Sequence, residues 1–260
     1  MPDRRTVEVP LVRLARWLDG FAERHGAWTA EPARAGAVAD SAGVEAAPSG
    51  DGVAGGASSS ERSGAVPRGD RARGEDAPSW VVSAADGSVA TVHGPAWLAD
   101  LPDSAASLMG AAFDAGRLAQ LRPVFGAILL RRAGYVVALF QGRDLVERKI
   151  ATRHIHGRTA AGGWSQQRYA RRRANQADEI VAACAASAAL MLTRPHRSPV
   201  QFLVTGGDRP LVAAALAQLP PALEALPVAA HVPVGTPDRR ALADLPDRVL
   251  AVSIDIVEAG

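Results

Sequence analysis

Apolar residues near the start of the chain recur at helical spacing. Leu11, Leu14, Leu18 and Phe21 follow one another at intervals of three or four residues, which places them on one face of a helix. This pattern predicts an amphipathic helix that packs its apolar stripe into a core. We assign residues 1–29 to the N-terminal helical part of a folded domain.

The next segment, residues 30–79, loses this periodicity and becomes a mixture of Ala, Gly, Ser and Pro with scattered charges. Such a composition buries too little apolar surface to offset the entropy of ordering the chain. We therefore predict a disordered low-complexity insertion here, and an ordered domain over residues 80–260.

The pattern after residue 80 alternates between strands and helices. Short apolar runs, continuous in some strands and alternating in others, predict strands. The stretch after Gln166, free of Gly and Pro, predicts a long helix. Together they predict an α/β fold, a single domain with a mixed β-sheet flanked by helices. In chain order the predicted elements are a hairpin turned at Asp86 and Gly87, a helix over 96–121, a three-strand meander (VFGAILLRRA, YVVALFQG, LVERKIATRHIH), a helix from Gln166 to Leu192, the strand QFLVTGG, a helix over 210–219, the strand PVAAHVPVG, a helix from Pro237 and the strand RVLAVSIDIV.

Composition narrows the class of protein. The hydrophobic content of 48% over 260 residues suffices for a core. No apolar run has the roughly 20 residues of a membrane span, and MPDRRTVEVP does not resemble a signal peptide. We expect a cytoplasmic monomer with no membrane partner. The single cysteine, Cys184, has no partner for a disulfide and is expected to be a structural thiol.

Basic residues cluster in the segment 149–181, although the net charge of the chain is only +2. Seven Lys or Arg residues precede the first acidic residue of this segment, Asp178. Three of them, Arg168, Arg171 and Arg172, share one side of the predicted long helix. A solvated basic face would give the same pattern, but the density beside a glycine-rich loop favours an RNA-facing surface.

Two histidines in the same segment, His154 and His156, stand two residues apart on a predicted strand and so face the same side. This spacing suits metal ligands or RNA contacts. Because no cysteine or carboxylate accompanies them, we predict RNA contact and neither a metal nor a cofactor.

The stretch HGRTAAGGWSQQRYARRR resembles the Gly-Gly-Gln domain of eukaryotic and archaeal class-one peptide release factors. That family carries an Arg-aromatic-Ala-Arg sequence after the tripeptide, matched here by residues 168–171, but Trp164 stands in place of its glutamine. A closer resemblance is to the Vms and ANKZF-type release-factor-like peptidyl-tRNA hydrolases, actinobacterial branch, whose Gly-x-x-Gln motif matches Gly163 through Gln166.

This resemblance implies a fold like the release-factor middle domain. Residues 157–165 contain several glycines and no predicted pairing, so we predict a mobile glycine loop there, followed by the long basic helix. It also implies hydrolysis of the peptidyl-tRNA ester on stalled ribosomes, with Gln166 positioning water and with the large subunit, its peptidyl-transferase centre, peptidyl-tRNA and ribosomal RNA as partners. No stop-codon-reading domain is recognisable. The implied catalytic residues are Gln166, Gly163 and Gly162. The residues that we predict to bind RNA are Arg158, Trp164, Gln167, Arg168, Arg171, Arg172, His154 and His156. Trp164 could equally be an apolar residue that anchors the loop, and Gln167 a residue of the helix surface.

Other functions remain open from the residues alone. The chain could be a noncatalytic ribosome- or RNA-binding module that docks through the basic loop and helix, with the glutamine incidental. Gln167 is adjacent to Gln166 and chemically identical, so the motif spacing alone distinguishes them. TGGDRP, at 205–210, lacks the lysine and hydroxyl residue of a P-loop and is interpreted as a strand-to-helix turn.

Overall fold

A computed structural model describes residues 4–33, 78–100, 113–152, 164–196 and 198–259. For residue 100 and for residues 164–174, only the backbone is described. Within these ranges, ten strands form two five-stranded sheets. The strands are β1 Arg4–Pro10, β2 Trp28–Pro32, β3 Ser79–Ala84, β4 Val89–His93, β5 Val124–Arg131, β6 Gly134–Gln141, β7 Asp144–Thr152, β8 Phe202–Gly207, β9 Val228–Val232 and β10 Ala251–Val257. The α-helices are α1 Leu11–His25, α2 Ala115–Ala119, α3 Trp164–Leu192, α4 Arg209–Leu216, α5 Pro221–Glu224, α6 Arg239–Ala243 and α7 Leu245–Val249, and a 3-10 helix spans Ala96–Asp100.

The second sheet, in the order β7-β6-β5-β8-β9, is mixed. Its β5, β6 and β7 form the predicted antiparallel meander, whereas β8 and β9 are added in parallel to β5. A strand that is added in parallel needs a crossover connection. The chain reaches β8 from β7, which lies on the other side of β6 and β5, and α3 lies in this connection. The predicted α/β class with a mixed sheet is confirmed.

The first sheet, in the order β1-β10-β4-β3-β2, is antiparallel throughout and was not predicted as a separate sheet. Its β3 and β4 form the hairpin predicted at Asp86 and Gly87, where Gly87 adopts a φ of 89°. The strand Trp28–Pro32 pairs with β3, so residues 30–32 and Ser79, placed in the predicted insertion, belong to strands. Residues 34–77 lie outside the described residues, and the proposed domain boundaries stay a prediction.

A shared core joins the two sheets. Helix α1 buries Leu11, Leu14, Leu18 and Phe21 in it, as their spacing predicted. One face of the second sheet contributes alternate residues of β5, β6 and β8 to the same cluster. Four stacked rings run through it, with centroids 5.0 to 5.4 Å apart: Phe140, Phe125, Phe202 and Trp97.

The long helix α3 covers the opposite face of the second sheet. Its buried side chains run from Ile180 to Leu192, and the helix packs against β5, β6 and α4. The Tyr135 hydroxyl lies 2.8 Å from Ser187 Oγ and fixes the helix over the start of β6. The helix predicted from Gln166 begins two residues earlier, at Trp164.

Further predicted boundaries need correction. The helix predicted over 96–121 is interrupted: the structure has a 3-10 helix at Ala96–Asp100 and then α2, while residues 101–112 lie outside the described residues. Asp114 caps α2, because its carboxylate accepts a hydrogen bond from the Arg117 N–H at 3.0 Å. The predicted mobile loop over 157–165 is too long at its end, because residues 164 and 165 are helical. None of the helices in the described ranges combines the length and apolar character needed to cross a membrane.

The outer face of the first sheet carries a polar network centred on Asp255, which is 7% exposed. Its carboxylate accepts a hydrogen bond from Thr6 Oγ1 at 2.5 Å and lies 3.3 Å from His93 Nε2 and 3.4 Å from an Arg4 guanidinium nitrogen. Burial acts to raise the pKa of Asp255, but these donors and the charge of His93 outweigh it and hold the pKa below its usual value. The ionised carboxylate therefore ties β1, β4 and β10 together.

We expect Asp255→Asn to lower the free energy of unfolding by about 1 to 3 kcal/mol at pH 7, the usual cost of disrupting a charged, buried hydrogen-bond acceptor. Because the folded-state pKa is depressed, the carboxylate stabilises the fold above the unfolded pKa of about 3.9, and this contribution disappears as pH falls through the folded pKa. Urea denaturation of both proteins from pH 7 to pH 3 should show the difference shrinking below about pH 4. Asp19→Asn, at an exposed position of α1, is the control. A difference independent of pH would contradict the assignment.

Candidate functional site

The motif segment, residues 153–163, follows β7 and leaves the second sheet at one edge. Strands β5, β7, β8 and β9 all run in one direction, because β6 is antiparallel to both β5 and β7 and because β8 and β9 are parallel to β5. The carboxyl end of β7 at Thr152 therefore lies on the same edge as the carboxyl ends of β5 and β8. Side chains and loops at the carboxyl ends of strands commonly form the functional sites of α/β sheets. Residues 153–163, which follow β7, start from this edge.

Helix α3 returns the chain from this segment. It begins at Trp164, and among its described side chains the first buried one is Ile180. Residues 175–179 are exposed or half-exposed. At 1.5 Å per residue, about 24 Å of helix precedes Ile180. The basic residues at the start of the helix thus precede its described buried residues.

The predicted site residues fall into two groups. His154, His156, Arg158, Gly162 and Gly163 lie outside the described residues. The others lie in the first three turns of α3, where the structure describes the backbone. These are Trp164, Gln166, Gln167, Arg168, Arg171 and Arg172. Their functional roles are not tested by the fold and stay predictions.

Close backbone packing shapes the same edge. A Cβ on Gly134 would lie 2.5 Å from the Ala151 carbonyl oxygen, so only glycine fits between β6 and the end of β7. Gly207 adopts a φ of 98° where β8 turns into α4. The Asp208 N–H then donates to the Leu130 carbonyl at 2.8 Å. TGGDRP is therefore the strand-to-helix turn that its sequence suggested, with its glycines required by packing.

A basic cavity lies on the face of β7 opposite α3. It has a volume of about 640 Å³ and is lined by Arg148, Ile150, Asp238, Arg239 and Arg240. On β7, Arg148 pairs with Ala138, whose side chain belongs to the core shared by the two sheets. The sequence reasoning missed this cavity. The adjacent pair Arg239 and Arg240 was its only local signal, and β7 meets that pair only in the folded chain.

The cysteine is not part of a reactive site. Cys184 lies on α3 and is fully buried against the second sheet. Burial raises the pKa of the Cys184 thiol to about 12, because the apolar surroundings disfavour the thiolate. The side chain therefore stays a neutral thiol near pH 7 and packs as a small apolar group.

Comparison with known proteins identifies the family of this chain. The family model of the Actinobacteria/chloroflexi VLRF1 release factor matches residues 123–255, which are 133 of the 260 residues. The matched region contains the whole second sheet, the motif segment 153–163 and all of α3. No curated protein matches the chain. Since the match covers half of the chain, the protein belongs to the Actinobacteria/chloroflexi VLRF1 release factor family.

Proposed function

We propose that this protein hydrolyses the ester bond of peptidyl-tRNA on stalled ribosomes or on split large subunits, with Gln166 positioning the attacking water. The observation that carries the proposal is the release-factor family match, which spans the Gly-x-x-Gln segment. The geometry supports it, because this segment joins the sheet edge to a helix with about 24 Å preceding its first buried residue among those described. A long helix of this kind suits a reactive element that must reach into a deep RNA cavity.

The proposed chemistry needs a positioned amide and no group that changes protonation. The Gln166 side-chain carbonyl can accept a hydrogen bond from water, while its NH₂ group can donate to an oxygen of the substrate. A helix that begins at Trp164 also leaves the N–H groups of its first turn without intrahelical acceptors. The Gln166 N–H is one of them, and such a donor can stabilise the negative charge that develops on the ester oxygen. Orientation of water and ester then supplies most of the rate enhancement.

The glycines of the motif have a steric role in this proposal. Gly162 and Gly163 carry no side chain, so the backbone can approach RNA closely and adopt positive φ values where docking requires them. Trp164, which follows them, is proposed as a stacking platform for a base. The loop would be ordered by docking on the large subunit.

The basic residues of the segment are proposed to hold ribosomal RNA and tRNA. Neutralising phosphates releases counterions, so binding should weaken steeply with ionic strength. A ribosomal substrate also places the protein in the cytoplasm, where we propose that it acts as a monomer. The proposed RNA contacts are Arg158, Arg168, Arg171, Arg172, Gln167, His154 and His156.

The test is release of labelled peptide from stalled ribosome nascent-chain complexes by the wild-type protein. Whole ribosomes and split large subunits are assayed separately, and binding is measured in parallel. We expect release from at least one of the two substrates, together with binding that weakens as salt rises. Tight binding without release from either substrate would reject hydrolysis and assign the chain to a docking module. Binding that does not respond to salt would reject the RNA-facing surface itself.

A further inference from the structure

The cavity between β7 and α6 is lined by three arginines. We propose that Arg148, Arg239 and Arg240 bind phosphodiester groups of an RNA strand there. That the partner is RNA rests on the proposed function. The three arginines lie outside the Gly-x-x-Gln motif, on the face of β7 opposite α3.

The cavity has a net positive charge. Three guanidinium groups and one carboxylate line it, so it carries a formal charge of +2. The Asp238 carboxylate is already engaged, since it accepts a hydrogen bond from the Ala241 N–H at 3.0 Å and caps α6. Within the described part of the chain, no acidic side chain pairs with any of the three arginines. Five other arginines in those ranges do form ion pairs: Arg4, Arg5, Arg122, Arg143 and Arg194.

The shape and lining of the cavity suit a sugar-phosphate backbone. Guanidinium groups are planar and donate pairs of hydrogen bonds in the geometry that phosphate oxygens accept. Small-molecule pockets of similar volume are largely enclosed, whereas this cavity is open to solvent. All three arginines are exposed, so a large polyanion can reach them.

The position of the cavity connects it to the motif. Arg148 lies four residues before the end of β7, which corresponds to about 13 Å along the strand. The same strand leads directly into residues 153–163. RNA seated on Arg148 would therefore be held by a rigid strand close to the point where the motif segment begins. The buried side chains of α3 pack on the opposite face of this sheet, so RNA bound by the basic residues proposed on that helix would make separate contacts.

The experiment compares two charge-matched double variants of the full chain. Arg239→Gln/Arg240→Gln removes two charges from the cavity, and Arg13→Gln/Arg16→Gln removes two exposed charges from α1. Affinities for fluorescently labelled deacylated tRNA and for vacant large ribosomal subunits are measured across a salt series. We expect the cavity variant to bind one of these RNAs at least about ten-fold more weakly. The slope of log affinity against log salt should fall by about 0.7 to 0.9 for each phosphate that the variant no longer neutralises. Whichever RNA shows the weaker binding identifies the source of the phosphates.

Several outcomes decide the proposal. Arg239→Lys/Arg240→Lys, which keeps both charges, should retain most of the salt slope. Equal reductions of affinity in the cavity and α1 variants would overturn the site. Competition by polyglutamate as strong as that by RNA of equal charge would also overturn it, by assigning the cavity to acidic proteins. The assay needs no hydrolysis and can be repeated in a Gln166→Ala background. If the arginine effect persists there while the wild type releases no peptide, only the proposed function fails.

Discussion

Replacing Gln166 by alanine is expected to lower the rate of peptide release by about 10² to 10³-fold, the usual cost of removing one preorganised group that acts on the transition state. The substitution deletes the amide that orients water and leaves the backbone N–H in place, so a small residual rate should survive. Single-turnover release from stalled nascent-chain complexes measures this rate. Binding to the same complexes should change little, because the basic residues around the motif are intact.

The matched control is Gln167→Ala, which removes the same side chain one position further along α3. Successive residues of a helix point about 100° apart, so the two amides cannot both face one substrate atom. We expect the control to release peptide at nearly the wild-type rate. If Gln167→Ala is inactive and Gln166→Ala is active, the catalytic role moves by one residue. If both variants release normally, neither glutamine positions the water.

Local patterns predicted the elements that carry the site. The spacing of Leu11, Leu14 and Leu18 predicted α1. Continuous apolar runs predicted β5 and β6, and an alternating pattern predicted β7. A stretch without Gly or Pro predicted the long helix α3. In each case the signal lies within neighbouring residues, so the sequence contains the information before any tertiary contact is known.

Long-range pairing was beyond the reach of such patterns. Strand β1 pairs with β10, the last strand in the chain, and nothing near Arg4 in the sequence identifies that partner. The strand Trp28–Pro32 was not predicted, and its residues 30–32 were placed in a segment with a composition typical of disorder, because the strand is specified by its pairing with β3. The basic cavity was missed for the same reason, since Arg148 and Arg239 come together only when the segment after β9 crosses toward β7. The motif itself needed no fold to be recognised.

The second large effect concerns the ring stack in the shared core. Phe202 is 1% exposed and stacks on Phe125 at 5.2 Å and on Trp97 at 5.4 Å. The Trp97 indole N–H donates to the Val249 carbonyl at 2.9 Å, so this stack links β5 and β8 to α7. Phe202→Ala is expected to lower the free energy of unfolding by about 3 to 5 kcal/mol, because the variant buries less apolar surface and leaves a cavity behind. Urea denaturation at pH 7 measures the change.

The control is Leu190→Ala, which truncates a side chain on α3 that is 65% exposed; its effect should stay within about 0.5 kcal/mol. Comparable destabilisation of the two variants would show that the stack is not a principal stabilising element. Phe202 lies at the start of β8. The motif segment follows the end of β7, at the opposite edge of the sheet. Peptide release per folded molecule, assayed at low temperature, should therefore match the wild type. A parallel decrease in release per folded molecule would instead mean that packing between the two sheets controls the geometry of α3 and of the motif it carries.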